Sequence, residues 1–236
     1  MVERIIKLFE DDLLDRKWVD RYSGIVRPME RKFPVGEDKF ITEIIPTACS
    51  AVNVECNEKE LYYMTPKKDV MSVVYWEMLS DPTIEPYNAI PNNKGVKIKA
   101  RLRLVVWYDK RLLGHVGCES LSEIDQDVIG LYRMIKRNTE DPPAYSVSMT
   151  LANLRYDFNT IFSKYTYGSS KWKYLFENPY GYKAYDFELE VLTSWDCLPI
   201  FETGPPESCL PTVIDGGGDE GAGFTIGFTT GFNSKQ

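Results

Sequence analysis

The chain holds one histidine, His115, with Cys118 three residues after it and Glu119 next. A Cys–His couple can make an activated thiolate or half of a metal site. Two further ligands are not in view, and a turn between Gly114 and Gly117 is an ordinary place for a histidine, so the reading taken is structural. Asp11, Asp12 and Asp15 cluster near the N-terminus, but Lys7 and Arg16 interleave with them, as on a solvated helix face. Gly216-Gly217-Gly218-Asp219-Glu220-Gly221 sets two acids among glycines without the ligand spacing of a calcium loop. No phosphate-cradling GxxxxGK[ST] and no GxGxxG occurs, and Gly168-Ser169-Ser170 is not a nucleophile elbow. The expectation is a chain with no catalytic centre, no metal and no cofactor.

The remaining charge patterns read as recognition. Lys97, Lys99, Arg101 and Arg103 alternate with Val96, Ile98, Ala100, Leu102, Leu104 and Val106. Period two over this length predicts a half-buried antiparallel strand with one basic face, central or nearly central in its sheet. Asp186, Glu188 and Glu190 alternate with Tyr185, Phe187, Leu189 and Val191, a strand with an acidic face. The basic row is a candidate interface. It either meets the acidic row across one sheet, or faces a protein partner or a phosphate backbone. The net charge of −7 favours the first two over DNA. Tyr165, Tyr167, Trp172, Tyr174, Tyr180, Tyr182 and Tyr185 could line an interface or a sugar platform, with a core role open for Trp172 and Tyr185.

The elements that must carry these rows are legible in outline. Val2, Ile5, Ile6, Phe9, Leu13 and Leu14 recur at helical spacing, and that helix is expected to end before Tyr22-Ser23-Gly24. Ile25-Val26-Arg27, Lys39 to Ile45, Val70 to Leu79 and Tyr145 to Leu154 read as strands. The prolines and the Asn92-Asn93-Lys94-Gly95 turn make residues 81–95 a loop or a long hairpin connection. Residues 122–137 read as a helix with Ser122 at its N-cap and Ile124, Val128, Leu131 and Ile135 inward.

With 236 residues, 43% hydrophobic and 27% charged, the chain can bury a core. The five cysteines, Cys49, Cys56, Cys118, Cys197 and Cys209, are odd in number and form no CxxC pair, which fits reduced thiols in a cytoplasm. The N-terminal residues are charged every few positions, unlike a signal peptide, and the longest apolar run, Leu104 to Tyr108, is too short to span a bilayer. The division expected is one α+β domain over residues 1–203, an antiparallel sheet with a long hairpin around residues 70–108 and flanking helices. A Gly-rich tail over 204–236 follows. Gly223-Phe224, Gly227-Phe228 and Gly231-Phe232 repeat there every fourth residue. In an extended chain Phe224, Phe228 and Phe232 share one side, so the tail is a candidate interface that lies on another subunit and adds to a sheet edge.

The order of helix, strand meander, helix and strand over roughly residues 1–155 resembles the ring-forming neck and tail proteins of tailed bacteriophages, the connectors and tail terminators. The segment Lys97 to Tyr108, followed by Gly114, is similar in style to connector proteins of crAss-like phages. The aromatic region and the Gly-Phe tail lie outside the likeness. It implies a non-enzymatic subunit of a closed homo-oligomeric ring, assembled in the host cytoplasm and lodged in the neck or tail of the virion. Its partners would be ring neighbours and the rings above and below, with DNA only as channel contents and no membrane. The alternative class is a carbohydrate- or protein-binding module with an aromatic contact surface.

Overall fold

A computed structural model describes residues 2, 6, 13–34, 39–49, 61–87, 95–115, 121–135, 145–167 and 172–194. The elements run β1 (Arg21–Pro34), β2 (Phe40–Cys49), β3 (Leu61–Tyr63), β4 (Ser72–Met78), β5 (Thr83–Tyr87), β6 (Gly95–Asp109), α1 (Lys110–His115), α2 (Leu121–Ile135), β7 (Tyr145–Arg155), α3 (Phe158–Phe162), a 3-10 turn (Lys173–Phe176) and β8 (Tyr180–Ser194). The architecture is α+β, built on one eight-stranded sheet in the order β3-β2-β1-β4-β6-β8-β7, with β5 also paired to β6.

β6 is the axis. Along one edge it pairs with β8 over its whole length, from Gly95↔Ser194 to Asp109↔Tyr180. Along the other edge it pairs first with β5, then with β4. The expected half-buried strand is therefore buried on both faces over its second half. Leu102, Leu104 and Val106 point to one side, Arg103, Val105 and Trp107 to the other, and all six are buried. A strand with neighbours on both edges and layers on both faces loses its period-two signal, because no face needs to be polar.

One layer is helical. Ile124, Val128 and Leu131 of α2, with Val2, Ile6, Leu13 and Trp18, pack against Val74, Trp76, Leu102, Leu104, Tyr185 and Phe187. Ile124, Val128 and Leu131 face inward as the sequence periodicity predicts, while the side chain of Ile135 lies outside those described. The start of α2 differs: the helix begins at Leu121, so Ser122 lies within the first turn rather than at the cap. The opposite layer is aromatic. Phe162, Tyr165, Tyr167, Leu175 and Tyr180 cover Val73, Tyr75, Val105 and Trp107, and Val26, Ile45 and Ala48 of the β1–β2 ribbon complete it. Close approach shapes one position: a Cβ on Gly181 would sit 2.5 Å from the Tyr108 ring, so glycine lets β8 pass over that ring.

Two expectations are corrected. The sheet is mixed rather than antiparallel, since β1 and β4 are parallel. The β2–β3 segment supplies the crossover that parallel neighbours need. The N-terminal helix ends before Tyr22-Ser23-Gly24, as expected, and those three residues lie at the start of β1. The register with β4 shifts between Ser23 and Ile25, leaving Gly24 as the extra residue of a bulge. Residues 83–87, expected in a connection, form the strand β5.

β1 also changes partner along its length. Arg21 to Val26 pair with β4, and Arg27 to Pro34 pair with β2. Two prolines oppose each other there, Pro28↔Pro46. The Pro46 carbonyl accepts from Met64 N–H at 2.9 Å, on the far side of β2 from β1. This pair therefore turns its backbone away from the β1–β2 ladder, where the missing N–H groups are not needed.

Candidate functional site

The basic and acidic rows face each other. The β6–β8 register sets Lys99 opposite Glu190, Arg101 opposite Glu188 and Arg103 opposite Asp186. Lys97 Nζ lies 2.5 Å from Glu190 Oε2, a diagonal contact, and Lys99 Nζ lies 2.9 Å from Glu85 Oε2 on β5. Arg101 is exposed. Of the candidate interface residues on β6, the two lysines thus spend their charge on half-buried or exposed ion pairs within the sheet, each of modest worth.

Arg103 is different. It sits under the aromatic layer and forks onto Asp186, Nε to Oδ1 at 2.6 Å and Nη2 to Oδ2 at 3.1 Å. Its Nη1 donates to the Thr160 carbonyl at 2.8 Å. That carbonyl is positioned by local sequence. Asp157 caps α3, accepting from Thr160 N–H and Oγ1 at 2.8 Å each. Arg155 Nε, 3.1 Å from Asp186 Oδ2, adds a second guanidinium. Burial lifts the Asp186 carboxyl, and the hydrogen bonds and charge of Arg103 and Arg155 outweigh it, holding the carboxyl below the usual carboxylate range.

Glu77, fully buried on β4, continues the network. It accepts from the Tyr165 hydroxyl at 2.5 Å, and Lys164 Nζ lies 2.9 Å from its other oxygen in an ion pair without hydrogen-bond geometry. Burial first, and then the Glu77 charge, raise the Tyr165 hydroxyl far above its ordinary value, so it remains a donor. Nearby, the Tyr75 hydroxyl is buried without a hydrogen-bond partner among the described residues. The two tyrosines should respond oppositely to loss of the oxygen. Tyr165→Phe strips Glu77 of its donor and is expected to cost about 1–3 kcal/mol in chemical denaturation. Tyr75→Phe removes an unpaired hydroxyl and should leave stability within about 0.5 kcal/mol of the parent or raise it.

On the helical face, Asp125 of α2 receives Lys183 Nζ at 2.9 Å and the Tyr185 hydroxyl at 2.5 Å. Asp127 receives Trp18 Nε1 at 2.7 Å. These bonds fix α2 and the N-terminal segment to the sheet. At the end of β6, buried Asp109 holds Arg111, whose Nη2 also donates to the Tyr180 hydroxyl at 3.1 Å. The charged groups brought together by folding thus engage one another, chiefly inside the protein.

The aromatic region is core. Tyr165, Tyr167, Tyr180 and Tyr185 are buried. Trp172 and Tyr182 are half-buried, and Trp172 Nε1 donates to Glu43 at 2.7 Å. Phe158, Phe162, Phe176 and Tyr182 pack ring against ring at 4.8–6.0 Å. Tyr174 remains exposed, beside an open groove of about 340 Å³ lined by Lys67, Lys68, Asp69 and Trp172. His115 ends α1 in an exposed position, while Cys118 and Glu119 lie outside the described residues. Asp15 is exposed; Asp11 and Asp12 lie outside them as well. Among the described residues no group of three acidic, histidine or cysteine side chains is placed to hold a metal. No helix among them is long and apolar enough to cross a membrane. The tail, with Phe224, Phe228 and Phe232, also lies outside the described residues.

The sheet edges carry the feature that the sequence reading missed. β3 is three residues long. β5 contains Pro86 and the paired Glu85. On the outer half of β1, the residues whose backbone faces away from β2 are Pro28, Glu30, Lys32 and Pro34, all exposed. Short length, charge and proline are the devices that discourage strand addition. β7 has none of them. From Tyr145 to Leu154 it contains no proline and no charged residue, and among the described residues it pairs with β8 alone. Its register is regular from Tyr145 to Leu151, before a shift at Ala152. The signal was in the sequence, as an uncharged strand, but which strand would stand at an edge was not.

Compared with protein-family models and with curated proteins, the chain matches none.

Proposed function

We propose that the chain is a non-enzymatic structural subunit that assembles with copies of itself into a closed ring. The observation that carries this reading is the asymmetry of the edges. Among the described residues the edges of β3, β5 and the outer half of β1 are guarded against strand addition, and the long uncharged edge of β7 is not. A chain that guards these edges and leaves a long uncharged one open reserves that edge for a defined partner. A single one-sided acceptor makes a heterologous contact, which generates a ring when its rotation closes. Engagement of the buried charges with one another supports a scaffold role. The resemblance to neck and tail proteins of tailed bacteriophages supplies the setting: a ring around a DNA channel, stacked on neighbouring rings in the virion. A net charge of −7 suits a channel through which DNA passes without adhering.

The test is the mass of the purified full chain by light scattering and native mass spectrometry across concentration. A single discrete oligomer at assembly concentrations is the expected result. A chain that stays monomeric throughout overturns the reading. If that monomer also binds glycans through the Trp172–Tyr174 groove, the aromatic-module reading replaces it.

A further inference from the structure

We infer that the β7 edge is the acceptor for the C-terminal residues 223–232 of an adjacent copy, which join the sheet there as an added strand. The inference rests on the ring reading and names the contact that would close it.

The two surfaces match in length, charge and face. The acceptor is the regular stretch Tyr145–Leu151, seven residues with no charge and no proline. Residues 223–232 read Gly-Phe-Thr-Ile-Gly-Phe-Thr-Thr-Gly-Phe, also with neither, and they exceed the acceptor in length. Period two puts Phe224, Ile226, Phe228, Thr230 and Phe232 on one face, with Thr230 its one polar member, and Thr225, Thr229 and three glycines on the other. β7 has the same division. Val147, Met149 and Leu151 belong to the apolar layer shared with α2, with Val147 and Leu151 only half-covered. Ser148 and Thr150 occupy the other face. A strand laid along this edge with its rings toward α2 would cover the flanks of Val147 and Leu151, and Thr225 and Thr229 would line up with Ser148 and Thr150. Main-chain hydrogen bonds would supply the attraction, and the rings the register. Glycine before each ring leaves no side chain to oppose the approach.

Reach does not limit the contact. The described chain ends at Ser194, which pairs with Gly95 at the end of β8 beside Tyr145. The roughly 30 residues from there to Gly223 can extend over about 100 Å, ample for a neighbour. Donation to an adjacent copy gives each subunit one donor and one acceptor, the pair of unlike surfaces that a ring requires.

The test uses two full-length chains with different tags, one carrying Ser148→Cys and the other Thr225→Cys. After mixing, assembly and mild oxidation, a disulfide joining the two tags is expected only when both variants are present. Single-variant samples control for the native cysteines. A chain carrying both substitutions that cross-links only within itself overturns the inference, and so does the absence of any specific cross-link. In parallel, Phe224, Phe228 and Phe232 are all replaced by serine in one variant, and residues 212–236 are deleted in a second. Both are expected to keep the parent melting temperature and lose the discrete oligomer. If both keep the oligomer, the inference fails while the ring reading stands. If the intact chain is monomeric, the ring reading has failed first.

Discussion

Asp186→Ala is expected to lower the unfolding free energy by about 3–5 kcal/mol, the usual consequence of removing one partner of a buried ion pair. Among the described residues Asp186 is the one carboxylate hydrogen-bonded to Arg103; it takes two of its nitrogens, and both side chains are almost fully covered. Without it, a guanidinium stays under the aromatic layer with the Thr160 carbonyl as its one remaining hydrogen-bond acceptor among the described residues, and with the charge of Glu77 nearby but not bonded to it. The cost is that of an uncompensated charge, not of a lost bond. The double variant Arg103→Met with Asp186→Leu should therefore recover much of the loss, because an apolar pair of similar volume carries no desolvation penalty. Urea denaturation of the two single variants and the double variant measures both effects. A single variant within about 1 kcal/mol of the parent would show that the pair contributes far less. The same carboxyl sets a pH dependence. Its folded value lies below its unfolded value, so its contribution is complete above the ordinary carboxylate pKa of about 4 and is lost as pH falls through the lower folded value. Depressed Asp109 and Asp157 act in the same direction. Acid unfolding should thus set in below about pH 4, and Asp186→Ala should flatten that limb.

Leu102→Asp is expected to cost on the order of 4 kcal/mol or more and to prevent folding in a marginal background. Leu102 has no exposed surface, sits between β4 and β8 opposite Met78 and Phe187, and faces the helical layer. The new carboxylate would enter a layer formed by Trp76, Ile124 and Val128. Leu102→Met keeps volume and polarity and should lose less than about 1.5 kcal/mol. Thermal melts of both variants decide the point, and unaltered melting of Leu102→Asp would mean that the face is wrongly assigned.

Local chemistry alone determined a good part of this protein. The alternation from Val96 to Val106 is a backbone property with period two, and it placed β6 and its apolar face. The acidic alternation placed β8, and the inward stripe of Ile124, Val128 and Leu131 placed α2. Opposite charges at matched spacing allowed the pairing of the two rows across one sheet. The parallel contact of β1 with β4 was not legible, because chain direction in a sheet depends on a crossover that no local window contains. Nor was the difference among Lys97, Lys99 and Arg103. All three have the same spacing, yet of the three only Arg103 is buried, and its Nη1 reaches the Thr160 carbonyl of a segment some 60 residues away. The aromatic run read equally well as platform or core, since ring content measures the area available for burial and not what will cover it. The uncharged sequence of β7 was visible from the start. That it stands at the rim, with nothing paired beyond it among the described residues, follows from strand order, which long-range packing decides.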